Sequence, residues 1–330
     1  MNTPTSPAFV YFELLADRNK TPSALLLSAT GDSTGLFQSF AQQEHFQTLS
    51  SRLPCLLPES ATQFPVLTDA ATAAGCKFVP ASQIHRTNSL SSPMPPDANW
   101  IGGFWYMAPP AKPTGAQAAS RTLALQLVQL VSADADTHEI EAVLRRDPTL
   151  SYHLLKVVNS LGMGMSRQIT SFSQAILILG RAQLRRWLNL MLFSSRQGDE
   201  RSAMLLARVA IRARTMELLA KACGMDKAAQ DAAFMAGMFS LLGVLFGMPL
   251  AEVLKPLKIS DALLAALLEH KGDLGQLLQT AECAELRDTA NLAQALDTLQ
   301  LQSTEFPAIL AEAHAWMVDV IRDSRGGGDA

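Results

Sequence analysis

The chain changes character once, near residues 109–118, and that change limits the folds open to it. Beyond the stretch PPAKPTGAQAAS the chain becomes strongly helical. Leu123, Leu125, Leu127, Val128, Leu130 and Val131 supply the first broad apolar face. Thr137 suits a helix cap, with Glu139 and Ile140 in the first turn. Pro148 suits the first turn of the next helix, which carries Leu150, Leu154, Leu155, Val157 and Val158. Asn159 and Ser160 lie near its end, where their side chains can bond free backbone groups. Further helices are expected over 171–179, 183–193, 202–222, 227–246, 250–254, 261–270, 275–281, 289–299 and 306–323. The apolar share, 48% of 330 residues, is enough to bury a sizeable core. There is no fixed-period repeat of the kind that builds a solenoid.

Before the change the pattern is different. Short β-type runs at 9–15, 24–27, 78–79 and 101–107 are separated by turn residues and by Pro- and Ser-rich stretches such as SLSSPMPPDANW. Residues 36–53 look helical. The expected fold is therefore mainly α: a small mixed α/β region over 1–113, a helical domain over 114–323, and a disordered polar tail over 324–330.

The net charge of −3 argues against a long surface that neutralises a phosphate backbone, so no nucleic acid partner is expected. Cys55, Cys76, Cys223 and Cys283 follow no paired spacing and read as ordinary thiols of a reducing compartment. The N-terminus has no basic segment and no cleavage motif. The richest apolar stretch, 234–250, is interrupted by Gly237, Gly243, Gly247 and Pro249 and is short for a membrane span. A cytoplasmic protein without a membrane partner is the expectation.

The segment EIEAVLRRDPTLSYHLLKVVNSLGMGMSRQITSFSQAILILGRAQLRRWLNL, residues 139–190, resembles the HDOD domain, a helical relative of the HD phosphohydrolases found in bacterial signalling proteins. The resemblance rests on Asp147-Pro148 with Leu150, on LLKVVNS ending at Asn159 and Ser160, on the turn at Ile169–Ser171, and on AILILG before RAQLRRW. It extends to LLEHKGDLGQLLQTA, residues 267–281. Catalytic HD domains hold a divalent metal with His and Asp, and the metal activates water for phosphodiester hydrolysis. In the stretch GMFSLLG, Ser240 stands at the His position and Leu241 at the Asp position. Leucine cannot ligate a metal, and a serine hydroxyl is a poor substitute for imidazole. The six histidines are scattered and form no HxxxH or HExxH pair.

The N-terminal third resembles, at its two ends, the EAL domain, a cyclic di-GMP phosphodiesterase barrel. YFELLAD places Glu13 at the metal-binding glutamate of that family's motif, and WIGGFWYMAPP is similar to its closing segment. A (β/α)₈ barrel needs about 200 residues or more, twice what lies here, so a truncated, degenerate EAL-like region is expected. Neither a P-loop, a dinucleotide-binding glycine pattern nor a nucleophile elbow occurs. Arg181, Arg185 and Arg186 form a basic cluster suited to a nucleotide phosphate, with Asn159 and Ser160 as further binding candidates. Arg201, Arg208, Arg212 and Arg214 form a second cluster, read as ion pairs to neighbouring helices. The resemblance and the missing ligands together imply a non-catalytic signalling protein, not an enzyme. It would act as a scaffold for an unidentified signalling partner, without metal or other cofactor. Two alternatives stand beside it: a sensor that binds a cyclic dinucleotide without cleaving it, and a metal-dependent phosphodiesterase.

Overall fold

The structure is a computed structural model. It describes residues 8–30, 34–110, 123, 126–130, 133, 135–144, 146, 180, 183, 186, 188–190, 193, 199–257 and 259–325. The expected helices over 148–158 and 171–179 lie outside these residues, as do residues 326–330 of the expected tail, whereas Ser324 and Arg325 continue the last helix instead of starting a disordered tail.

The N-terminal region is built on a mixed sheet. Strands β1 (Phe9–Ala16) and β2 (Pro22–Thr30) pair antiparallel, with Phe9 opposite Thr30 and Glu13 opposite Leu26. Asp17 makes the turn between them. Its carboxylate accepts the backbone N–H groups of Asn19 and Thr21, at 2.9 Å each, and the Thr21 hydroxyl at 2.8 Å. Helices α1 (Thr34–Ala41) and α2 (Glu44–Arg52) lead to β3 (Cys55–Pro58), parallel to β2. Helix α3 (Pro65–Ala73) leads to β4 (Lys77–Val79), parallel to β3. Strands β5 (Ile84–Arg86) and β6 (Trp100–Gly102) complete the sheet in the order β4-β3-β2-β1-β6-β5.

Two expectations need correction here. The helix expected over 36–53 is two helices, because Gln43 is extended at φ −75° and ψ 145°. The strand expected over 101–107 stops at Gly102. Gly103 turns away at φ +95°, and Trp105–Met107 forms a 3₁₀ turn. Gly103 has no room for a side chain either: a Cβ there would stand 2.3 Å from the Thr87 carbonyl oxygen.

The described elements that follow are helices: α4 (Thr137–Leu144), α5 (Ser202–Ala222), α6 (Lys227–Phe239), α7 (Leu242–Phe246), α8 (Leu250–Leu254), α9 (Asp261–Glu269), α10 (Gly272–Leu286), α11 (Thr289–Thr298) and α12 (Phe306–Arg325). Side chains start several of them. Asp226 accepts the Ala229 N–H, Ser260 the Leu263 N–H and Asp288 the Asn291 N–H. Helix α5 is buried at 15 of its 21 positions, which only a helix covered on all sides can be. Helix α6 crosses it closely at Gly237, where a Cβ would come within 2.6 Å of the Ala213 Cα.

One face of the sheet and the helices share a single apolar core, from Phe9 and Tyr11 through Phe234 and Leu278 to Met317. The other sheet face carries a small cluster of Leu15, Ala24, Leu26, Leu56 and Val79. Lys227–Phe246 is long and apolar enough, by length and composition, to cross a membrane, but 56% of its most apolar window is buried inside the fold.

Candidate functional site

Two places test the expected chemistry, the turn at Ser240 and the strand position of Glu13. Helix α6 ends at Phe239, and Ser240 closes it through its backbone N–H to the Ala236 carbonyl. The Ser240 hydroxyl donates to the Gly237 carbonyl oxygen at 2.7 Å and accepts from Arg212 Nη1 at 3.0 Å. Leu241 is buried at 1% exposure among apolar neighbours.

The positive charge at this place belongs to a side chain. Arg212 is 6% exposed, and its guanidinium makes four hydrogen bonds. Nε donates to Glu285 Oε1 at 2.9 Å, Nη2 to Glu285 Oε2, and Nη1 to Glu282 Oε1 at 3.0 Å as well as to Ser240. The second Glu282 oxygen lies 2.8 Å from His270 Nε2. Arg208 also approaches Glu285, at 3.6 Å, and donates to the buried Tyr106 hydroxyl from Nε at 2.9 Å and from Nη2 at 2.6 Å. Burial pushes the Glu285 carboxyl up, but the Arg212 and Arg208 charges outweigh it and hold the group below the usual carboxylate range.

Glu13 sits on β1 with its side chain 13% exposed. Arg86, at the end of β5, binds it through both nitrogens: Nη1 to Oε1 at 2.8 Å and Nη2 to Oε2 at 2.9 Å. Arg287, just past α10 at φ +57°, donates to Oε2, and the Gly103 N–H donates to Oε1 at 3.1 Å. Burial raises the Glu13 pKa, while the Arg86 bonds and the charges of Arg287 and Arg86 prevail and lower it. Gly102 makes the space, since a Cβ there would stand 2.8 Å from Glu13 Oε1.

Neither place fits a metal ion. Both Glu13 oxygens are taken by arginines, and Ser240 and Leu241 offer no strong ligand. Among the described residues no group of three or more His, Cys, Asp or Glu side chains is placed to hold an ion.

Of the sequence-predicted binding residues, Arg181, Arg185, Asn159 and Ser160 lie outside the described residues. Arg186 is 9% exposed. It donates to Glu217 Oε1 at 2.8 Å, pairs with Asp231 and stacks its guanidinium 4.3 Å from the Phe234 ring centre. The second basic cluster pairs with carboxylates, but only Arg208, Arg212 and Arg214 reach neighbouring helices, while Arg201 pairs locally. Arg201 binds Asp199 at 2.9 and 2.8 Å, and Arg214 binds Glu217 and Glu312 at 2.7 and 2.6 Å. Sequence reasoning missed Arg86 and Arg287 as the partners of Glu13. They stand 73 and 274 positions away, and only the Gly102-Gly103 pair hinted at crowding near the strand.

The HDOD domain family model matches residues 120–252. Over 224 residues, 67% of this chain and 51% of the relative, the chain is 30% identical to a protein of Vibrio cholerae serotype O1 named cyclic di-GMP phosphodiesterase CdgJ. It is 32% identical over 162 residues to the uncharacterized protein YuxH of Bacillus subtilis, covering 48% of this chain and 39% of YuxH. The chain thus spans about half of the length of the first relative and 39% of the second. Two crystal structures from Shewanella amazonensis SB2B are also similar. One, described as a candidate phosphohydrolase, has a TM-score of 0.42 at 16% identity, covering 61% of this chain and 93% of that one. The other, a candidate metal-dependent phosphohydrolase, has a TM-score of 0.41 at 15% identity, covering 60% and 90%.

The kinship with CdgJ corrects two expectations, that the chain is a non-catalytic scaffold and that it is not an enzyme. Both rested on missing ligands, Ser240 and Leu241 at the dyad, the scattered histidines and the shortened EAL-like region, and such local absences do not speak for the whole protein. Residues 120–252 of this chain are an HDOD domain, in a protein homologous to one named as a cyclic di-GMP phosphodiesterase.

Proposed function

We propose that this chain serves the hydrolysis of cyclic di-GMP in bacterial signalling. The observation that carries this reading is the 30% identity to the V. cholerae phosphodiesterase along 224 residues, too long a match for the HDOD segment alone to account for. The EAL-like nature of residues 1–113 belongs to the same proposal, supported by Glu13 on its strand, by Gly102 that makes room for it and by the Gly103 N–H that binds it.

The described residues bound this reading. They form no metal-ligand group, so a metal-dependent reaction here must draw ligands from outside them. What they offer is charge for a phosphodiester. Two guanidiniums face the one Glu13 carboxylate, and both are partly open to solvent, Arg86 at 52% and Arg287 at 34%. Arginine suits this task because its planar fork matches two phosphate oxygens at once.

The test is direct. The full chain, purified and incubated with cyclic di-GMP and Mg²⁺ or Mn²⁺, is expected to yield the linear dinucleotide, read by chromatography. Intact substrate after prolonged incubation with either ion, under conditions where an authentic phosphodiesterase completes the reaction, overturns the proposal.

A further inference from the structure

The four cysteines show no pairing in sequence, but the sheet brings two of them together. Leu56 of β3 stands opposite Lys77 of β4 in parallel register. One residue earlier on each side stand Cys55 and Cys76. Neighbouring strands lie about 4.8 Å apart, inside the roughly 4.4–6.8 Å between Cα atoms that a disulfide spans. Both side chains face the main core, as does Leu57 two positions on, while Leu56 between them points to the opposite cluster. Both thiols are free, and they are 2% and 8% exposed.

We propose that Cys55 and Cys76 are a redox pair that closes to a disulfide across β3 and β4 when the protein meets hydrogen peroxide. This is independent of the proposed hydrolysis.

The chemistry balances with peroxide as the two-electron oxidant. One thiolate attacks a peroxide oxygen, the O–O bond breaks, and a sulfenic acid and hydroxide form. The second thiolate attacks the sulfenic sulfur, the S–S bond forms and the S–O bond breaks, releasing a second hydroxide. The two hydroxides take the two thiol protons as water. Each sulfur loses one electron and the peroxide gains two.

Burial pushes both thiols up to about 12, Cys55 with a further contribution from Cys76 beside it. The closed fold therefore keeps them unreactive. The sheet provides the way in. Strand β4 is three residues long and forms the sheet edge, so β3 is the only strand it is hydrogen-bonded to. Short edge elements open locally at a small fraction of the global stability. Oxidation is thus expected to be slow, limited by opening of β4, and to end with the edge strand tied to its neighbour.

The experiment uses the full native chain. It is exposed to hydrogen peroxide, quenched, alkylated after denaturation and mapped by mass spectrometry. The expected result is loss of two hydrogens and a cross-linked peptide joining Cys55 to Cys76, reversed by a dithiol reductant and absent in Cys76→Ser. Cys55 and Cys76 both still alkylated, a link to Cys223 or Cys283 instead, or oxidation to sulfinic acid without a link would each overturn the assignment.

Discussion

At the scale of single residues, the buried charges among the described residues are paired. Arg212 is the clearest case: removing it leaves Glu282 and Glu285 without their main cation, Glu285 at 11% exposure. Breaking a buried ion pair from one side costs about 3–5 kcal/mol. Arg212→Met is therefore expected to lower the unfolding free energy, read from denaturant titration, by that order, and a loss under about 1 kcal/mol would mean the pair is worth no more than a surface one. The buried groups also set the acid limb of stability. Burial pushes His314 down to about 4, against a bond to the Leu310 carbonyl that favours the charged form. The unfolded chain therefore binds the proton first, and the stability this residue contributes is complete above about 6.5 and lost as pH falls to 4. Glu217 is lowered to about 2, burial opposing and the Arg186 and Arg214 pairs prevailing, so its share is lost only below about 4.5. His314→Gln should flatten the melting temperature between pH 6.5 and 4 relative to the parent while leaving the steeper fall below it. An unchanged slope in that window would remove His314 as the cause.

At the scale of elements, the sequence was legible where periodicity was long and mute where contacts were short. The helices over 202–222, 250–254 and 289–298 match the reading to within a residue, because their apolar runs carry the helical period, with Pro249 opening the second and the Asp288 cap the third. Strand β3 was missed: CLLP is four residues ending in proline, too short to show alternation, and its pairing partners are distant in the chain. The break at Ser240 inside the expected helix 227–246 was equally hidden, since Leu241 and Leu242 continue the apolar run and the bond from Arg212 that accompanies the break comes from another helix. Of the site, Glu13 was found by its motif, whereas Arg86 and Arg287 could not be, having no local pattern. The glycines between them give an element-level prediction. Gly102→Ala puts a methyl 2.8 Å from Glu13 Oε1, so the carboxylate must leave Arg86 or β6 must move. The expected cost is about 1–3 kcal/mol, together with weakened cyclic di-GMP binding by calorimetry. Unchanged stability would show that β6 yields freely.

At the scale of the molecule, the change in composition near residue 113 reads as a boundary between two regions, yet the interactions run straight across it. Arg287 beyond α10 holds Glu13 of β1, the Tyr11 hydroxyl donates to Thr289 at 3.1 Å, and Arg52 of α2 binds Asp319 of α12 at 2.8 Å. Arg208 of α5 bonds the buried Tyr106, and the Phe12 ring stacks on His314 with centroids 5.1 Å apart. A composition boundary marks a change of local structure; it says nothing about where the core ends, and here one core includes both sides. Without the sheet, the β1 side of α5, α10 and α12 would expose Ile211, Ala281 and Leu310 together with the paired Glu285 carboxylate. Regions that share a core unfold together, and the calorimetric and van't Hoff enthalpies of such a unit agree. The full chain is therefore expected to melt in one transition, and Arg287→Ala, which removes one tie without touching the apolar core, should lower that single midpoint rather than split it. Two resolved transitions in the parent protein, with the first assigned to residues 8–110 by hydrogen exchange, would show instead that the sheet is a separate domain resting on the helices.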